Sequence, residues 1–222
     1  MPRELPRPIT YLITAGKTAD AARADPFGET LALVRLAVSH GVTLVQLREK
    51  HLGARPLYEL AVQSAAITRG TNTRLLINDR ADVARAAGCD GVHLAASSLE
   101  AAVVRRAFGD EFLIGVSAHS LDEARAAREG GADFAVFGPV FDTPSKRTYG
   151  PPVGLGALKE AARELSPFPL VALGGVGEEQ VEAVLRAGAA GVAGIRLFAD
   201  GQNLARIVHH IGRAYGPGER DE

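Results

Sequence analysis

Short apolar runs recur along this chain, and segments with helical spacing fill the intervals between them. Ile9 to Thr14 is the first run and closes at Ala15-Gly16. Phe27 to His40 then carries Leu31, Val34, Leu36 and Val38 among its apolar positions, the spacing of an amphipathic helix. The same reading predicts a strand over Leu44 to Leu47 and a helix from about Leu57 to Arg69. It continues with strand Arg74 to Ile77, helix Ala81 to Ala87, strand Gly91 to Leu94 and a helix from about Leu99 to Phe108. A fifth strand is expected over Phe112 to Val116. Ser120 caps the helix after it, with Glu123 placed to complete a capping box. Phe134 to Phe137 is the sixth run, broken at Gly138-Pro139 by a long polar loop. Beyond the loop come a helix from about Leu155 to Leu165, strand Leu170 to Leu173, and a helix from about Glu178 to Ala187. Strand Gly191 to Ile195 and a last helix near Asn203 to Tyr215 complete the pattern.

Eight strand–helix cycles of roughly 25–30 residues predict an α/β fold with a parallel sheet closed into a (β/α)8 TIM barrel. Faint internal repetition agrees: AAGCDGVHL, EGGADFAVF and RAGAAGVAGI each join a helix end, through glycine, to a buried run. An open doubly wound sheet is the alternative, but ITAGKT after the first run is not the GxGxxG turn that such sheets favour. A single domain is expected over residues 9–215, with residues 1–8 as an extended lead-in and 216–222 as a polar tail.

Composition narrows the partners. A formal charge of −1 over 222 residues gives no reason to expect nucleic acid or an anionic membrane. One cysteine, Cys89, excludes an internal disulfide and any multi-cysteine metal site, which suits a reducing cytoplasm. No apolar run approaches the length of a membrane span, and MPRELPRP lacks a signal-peptide core. Small-molecule substrates are therefore the expected partners, and a homo-oligomer stays open.

In such a barrel the C-terminal strand ends form the active face. The second run continues as LVQLREK, where alternation puts Gln46, Arg48 and Lys50 on one side and Val45 and Leu47 on the helix side. The third ends at Asn78 and Asp79, the fourth carries His93, and the fifth leads to Ser117 and His119. After the sixth, a loop with Thr143, Ser145 and Lys146 offers hydroxyls and a cation to an anion. Gly174-Gly175 follows the seventh, where these barrels bind phosphate, and Arg196 follows the eighth. Each has a plain alternative. Arg48 and Lys50 could pair with Glu49, Asn78-Asp79 could cap a helix, and His93 could be a hydrogen-bonded core residue. His119 could sit idle at a helix start, the glycines could be only a turn, and Arg196 could form a rim salt bridge. Together, Arg48, Lys50, Lys146 and Arg196 bring positive charge to one face of a chain with none to spare, as a ligand with several phosphates requires.

The segments VQLREK, LLINDRADVARAAGCDGVHL, GVSAHSLDEA, ADFAVFGPVFDTPSK and VALGGV, in this order, resemble the thiamine phosphate synthase and thiazole tautomerase superfamily, more closely the synthase. The resemblance implies a transferase of thiamine biosynthesis that joins an aminopyrimidine methyl diphosphate to a thiazole phosphate and releases pyrophosphate. The pyrimidine carbon–oxygen bond ionises first, and the thiazole nitrogen captures the cation. By the family pattern Arg48, Lys50, Asn78, Ser117 and Lys146 hold pyrophosphate, Asp79 binds Mg2+ and Gln46 contacts the pyrimidine. Thr143, Ser145 and the Gly174-Gly175 backbone hold the thiazole phosphate or adjoining groups. Two stretches depart from the pattern. Ser98 stands where a second metal-binding aspartate is usual, with Ala96 in place of a glutamine, and Arg196 stands in place of a serine. An arginine there can bind phosphate in a forked geometry. The loss at Ser98 favours the tautomerase, which would use His119 as acid–base; NDR and GPVFDTPSK favour the synthase. A non-catalytic binder of a phosphorylated thiamine-pathway ligand is the third possibility.

Overall fold

The computed structural model describes residues 5–18, 25–95, 97–143 and 151–216. The eight strands are β1 Ile9–Ile13, β2 Leu44–Leu47, β3 Arg74–Asn78, β4 Gly91–Leu94, β5 Leu113–Ala118, β6 Phe134–Phe137, β7 Leu170–Ala172 and β8 Gly191–Gly194. All neighbouring pairs are parallel, and β8 returns to β1, closing the barrel. The helices alternate with them: α1 Gly28–Ser39, α2 Ala54–Thr68, α3 Ala81–Ala87, α4 Ala101–Phe108, α5 Leu121–Glu129, α6 Gly154–Leu165, α7 Val181–Arg186 and α8 Leu204–Tyr215. Two 3-10 turns, Glu178–Gln180 and Arg196–Phe198, follow β7 and β8.

Period-two alternation divides the apolar residues into two cores. Ile9, Tyr11, Ile13, Leu44, Leu76, Leu113, Phe134, Val136, Val171 and Ala193 fill the barrel. Leu12, Val45, Leu47, Leu75, Ile77, Val92, Ile114, Phe137 and Val192 face outward and pack with helical residues such as Val34, Leu60, Leu158, Val184 and Ile207. Because both faces of every strand are covered, the strands read as continuous apolar runs.

Several element ends differ by one to three residues from the spacing alone, and those around the fifth strand bear on the site. The fifth strand starts one residue late, at Leu113, because Phe112 stacks on Phe108 of α4 with ring centroids 4.8 Å apart. It runs on to Ala118, so Ser117 is a strand residue. At α5 the Ser120 hydroxyl accepts from the Glu123 N–H (3.2 Å), but the Glu123 carboxylate reaches back to the His119 N–H (2.7 Å) instead of Ser120's own. Such a cap contributes about 1 kcal/mol and here also fixes the backbone of His119.

Candidate active site

The strand ends are best followed around the barrel mouth. On β2, parity turns Gln46 inward with Leu44, and it is 1% exposed. Its Nε2 donates to Asn78 Oδ1 at 2.9 Å, while Oε1 is buried without a hydrogen-bond partner among the described residues. The strand stops at Leu47, and the next residues clamp the loop after β1. Glu49 is 3% exposed and accepts from the Thr14 hydroxyl (2.5 Å) and the Thr18 N–H (3.1 Å). The Thr14 hydroxyl in turn accepts from the Arg48 N–H at 2.8 Å, and the Thr18 carbonyl meets His51 Nε2 at 2.7 Å. Glu49 therefore does not neutralise Arg48 or Lys50. Among the described residues no ion pair engages either cation.

Asn78 and Asp79 do not cap α3, whose first turn receives no side-chain cap. Asp79 instead adopts a left-handed backbone, φ 59, the only non-glycine with positive φ among the described residues. Aspartate tolerates that region better than most side chains. Its N–H donates to the His93 carbonyl at 2.9 Å. Asn78 Nδ2 donates to Asp79 Oδ2 (2.8 Å) and the Ala95 N–H to Asp79 Oδ1 (3.0 Å). The Ser98 hydroxyl also donates to Oδ1 and accepts from the Ala95 N–H (2.8 Å). Arg80 turns away from this cluster to grip Asp82 with both prongs, 2.6 and 2.8 Å, holding that carboxyl below its ordinary range.

Below the mouth, His93 is buried in the barrel beside Tyr11 and Phe134, and its Nε2 lies 2.9 Å from the Ser117 hydroxyl. It is the core residue that spacing allowed, and it also touches a candidate ligand. His119 Nδ1 meets the Gly138 carbonyl. A carbonyl only accepts, so Nδ1 carries the proton and Nε2 is the ring atom able to take another.

Gly174 and Gly175 have φ of 95 and 65 and bring the β7 loop against the β6 loop. A Cβ on Gly174 would stand 2.5 Å from Pro139 Cβ, and one on Gly175 2.6 Å from Phe141 Cβ. The Thr143 hydroxyl donates to the Phe141 carbonyl at 3.1 Å in the same loop. Arg196 opens the 3-10 turn after β8, exposed and without an ion pair among the described residues, so the rim salt bridge is not formed there. Ser145 and Lys146 lie outside the described residues.

These contacts join Gln46, Asn78, Asp79 and Ser98 in one network, and Ser117 and His119 belong to the neighbouring strand ends. Among the described residues no cluster of three or more His, Cys, Asp or Glu side chains is assembled for a metal. Asp79 still fits magnesium, which is commonly held by one or two carboxylates with substrate phosphates and waters completing its shell.

The family model described as thiamine monophosphate synthase matches residues 10–198, spanning every strand but the first residue of β1. The chain belongs to the thiamine monophosphate synthase family. A Geobacter sulfurreducens protein provisionally named a thiamine-phosphate synthase is 51% identical over 165 residues, 74% of this chain and 77% of that one. The thiamine-phosphate synthase of Moorella thermoacetica is 43% identical over 182 residues, 82% of this chain and 86% of its own. Among solved structures, the thiamine phosphate pyrophosphorylase of Pyrococcus furiosus is 27% identical, with a TM-score of 0.77 over 93% of this chain and 95% of that chain. Membership in the thiamine monophosphate synthase family fits the barrel, and no described helix is long and apolar enough to cross a membrane.

Residue spacing missed Glu49, Thr14 and Thr18. An acid between two cations reads as an ion pair, and nothing local in the sequence points to partners 31 and 35 residues away.

Proposed function

We propose that this protein is a cytoplasmic thiamine-phosphate synthase, a transferase that joins the aminopyrimidine methyl diphosphate to the thiazole phosphate and releases pyrophosphate. The observation that carries the reading is the Gln46–Asn78–Asp79 network at the barrel mouth, with Arg48 and Lys50 following β2 and engaged by no ion pair among the described residues. Relatives bearing the synthase name support it.

In this reading Gln46 offers its buried Oε1 to a donor on the pyrimidine. Arg48, Lys50, Asn78, Ser117 and Lys146 hold the diphosphate, and charge gathering on the departing oxygens strengthens those contacts in the transition state. When His93 Nε2 donates to Ser117, the serine proton is left to point at the diphosphate. Asp79 would hold Mg2+, whose charge offsets that of the leaving group. Thr143, Ser145, the Gly174-Gly175 backbone and Arg196 receive the thiazole phosphate.

With both phosphorylated substrates and Mg2+, the purified protein releases pyrophosphate and forms thiamine phosphate. No product at any magnesium concentration rejects the synthase. Asp79→Asn costs far more turnover than Ser98→Ala at saturating magnesium. The second reading, an isomerase of the thiazole carboxylate phosphate, draws on the protonated Nδ1 of His119, which leaves Nε2 basic. It requires metal-free proton exchange that His119→Ala abolishes.

A further inference from the structure

We infer that Ser98 is a positioning residue for Asp79, and that this chain has a one-carboxylate cation site that fills only together with a diphosphate. The inference rests on the synthase reading for the kind of anion and on three observations for the rest. The Ser98 hydroxyl donates to Asp79 Oδ1, and the same oxygen accepts from the Ala95 N–H at 3.0 Å. The Ala95 N–H also reaches the Ser98 oxygen at 2.8 Å, which polarises the hydroxyl toward the carboxylate. Asp79 is held in its left-handed backbone by the His93 carbonyl and by Asn78 on the other oxygen. A carboxylate fixed on both oxygens presents a defined direction to a cation.

A second aspartate at position 98 would repel Asp79 until a cation arrived, and the pair would then bind that cation unaided. A serine in that place removes the repulsion and one unit of negative charge. The free protein therefore offers a divalent ion one carboxylate, and the remaining ligands come from a diphosphate and water. The ion arrives with the anion, and Ser98 keeps Asp79 aimed at it in the meantime.

The test uses Mn2+ as a spectroscopic stand-in and inorganic pyrophosphate as the anion, with free Mn2+ followed by electron paramagnetic resonance on the whole protein. Wild type binds Mn2+ only when pyrophosphate is present. Ser98→Ala weakens that ternary binding by about 10–100-fold, the usual cost of losing a group that orients a metal ligand. Ser98→Thr, which keeps the hydroxyl, restores it. Ser98→Asp binds Mn2+ without pyrophosphate. Ternary binding unchanged in Ser98→Ala overturns the positioning role. Mn2+ binding by wild type alone, as tight as that of Ser98→Asp, overturns the one-carboxylate site. Because none of these readings needs turnover, absence of thiamine phosphate would reject the synthase and leave this inference intact. Turnover with normal ternary Mn2+ binding in Ser98→Ala would reject the inference alone.

Discussion

Replacing Glu49 measures how firmly the loop after β1 is tied to the end of β2. The carboxylate accepts from the Thr14 hydroxyl at 2.5 Å and the Thr18 N–H at 3.1 Å, and Glu49 and Thr18 are 3% and 7% exposed. Hydrogen bonds to a charged acceptor contribute roughly 1.5–3 kcal/mol each, and an enclosed N–H left without an acceptor adds its desolvation cost. Glu49→Ala is therefore expected to lose at least about 3–6 kcal/mol. At 2–4 °C per kcal/mol for a domain of this size, the melting temperature falls by roughly 6–24 °C. Glu49→Gln keeps one acceptor oxygen and loses about half as much. Thr14→Val supplies the second arm of a double-mutant cycle in urea, where the pair's coupling should be about 1.5–3 kcal/mol. A coupling under about 0.5 kcal/mol would refute the argument, because it lies within the additivity of independent sites. Since the Arg48 N–H leans on the same threonine hydroxyl, both single variants should also raise the KM for the pyrimidine diphosphate.

Arg105 carries the opposite end of the barrel. Its guanidinium donates to the carbonyls of Gly109, Phe112 and Gly131 and to Asp133 at 2.8 Å, whose side chain is 2% exposed. Arg105→Met takes away the guanidinium that faces this buried carboxylate, which keeps the Ile114 N–H, and should cost about 3–5 kcal/mol by urea denaturation; Arg105→Lys, without the planar fork, should recover only part. Burial, helped by the Asp90 charge, pushes the Cys89 thiol up to about 12. At pH 8 only about one molecule in ten thousand is then thiolate, so a disulfide-exchange reagent should leave Cys89 untouched until urea is added. The sign for stability follows from the raised value. The contribution is whole below the unfolded thiol's ordinary value of about 8.5. It drains away as pH climbs toward 12, and Cys89→Ala should not show that part of the alkaline loss.

The barrel was readable because parallel strands buried on both faces leave an unmistakable apolar signature, and glycine marks the turns back into them. Gln46, Asn78, Ser117 and His119 were readable because strand parity carries an inward residue to the mouth. The rest depended on partners distant in sequence. Glu49 is neutralised by no neighbour, Arg105 reaches 28 residues ahead to Asp133, and Ser98 acts on a carboxylate 19 residues behind it. The substitution at Ser98 was visible by resemblance to the family, but the hydroxyl's bond to Asp79 needed coordinates. The capping box at Ser120 was legible in type but not in its final link, which lands on His119.

The row of amides leading to Asp79 runs in one direction only. An ionised carboxylate can only receive, so Asn78 must give it an N–H and keep its oxygen for Gln46, and Gln46 must spend its own N–H on that oxygen. What remains at the far end is the Gln46 Oε1, buried and without a hydrogen-bond partner among the described residues. The negative charge at position 79 thus dictates, two side chains away, that the group left over at Gln46 is an acceptor and not a donor. Exchanging that acid for an amide would free the whole row to reverse and leave a donor at Gln46 instead.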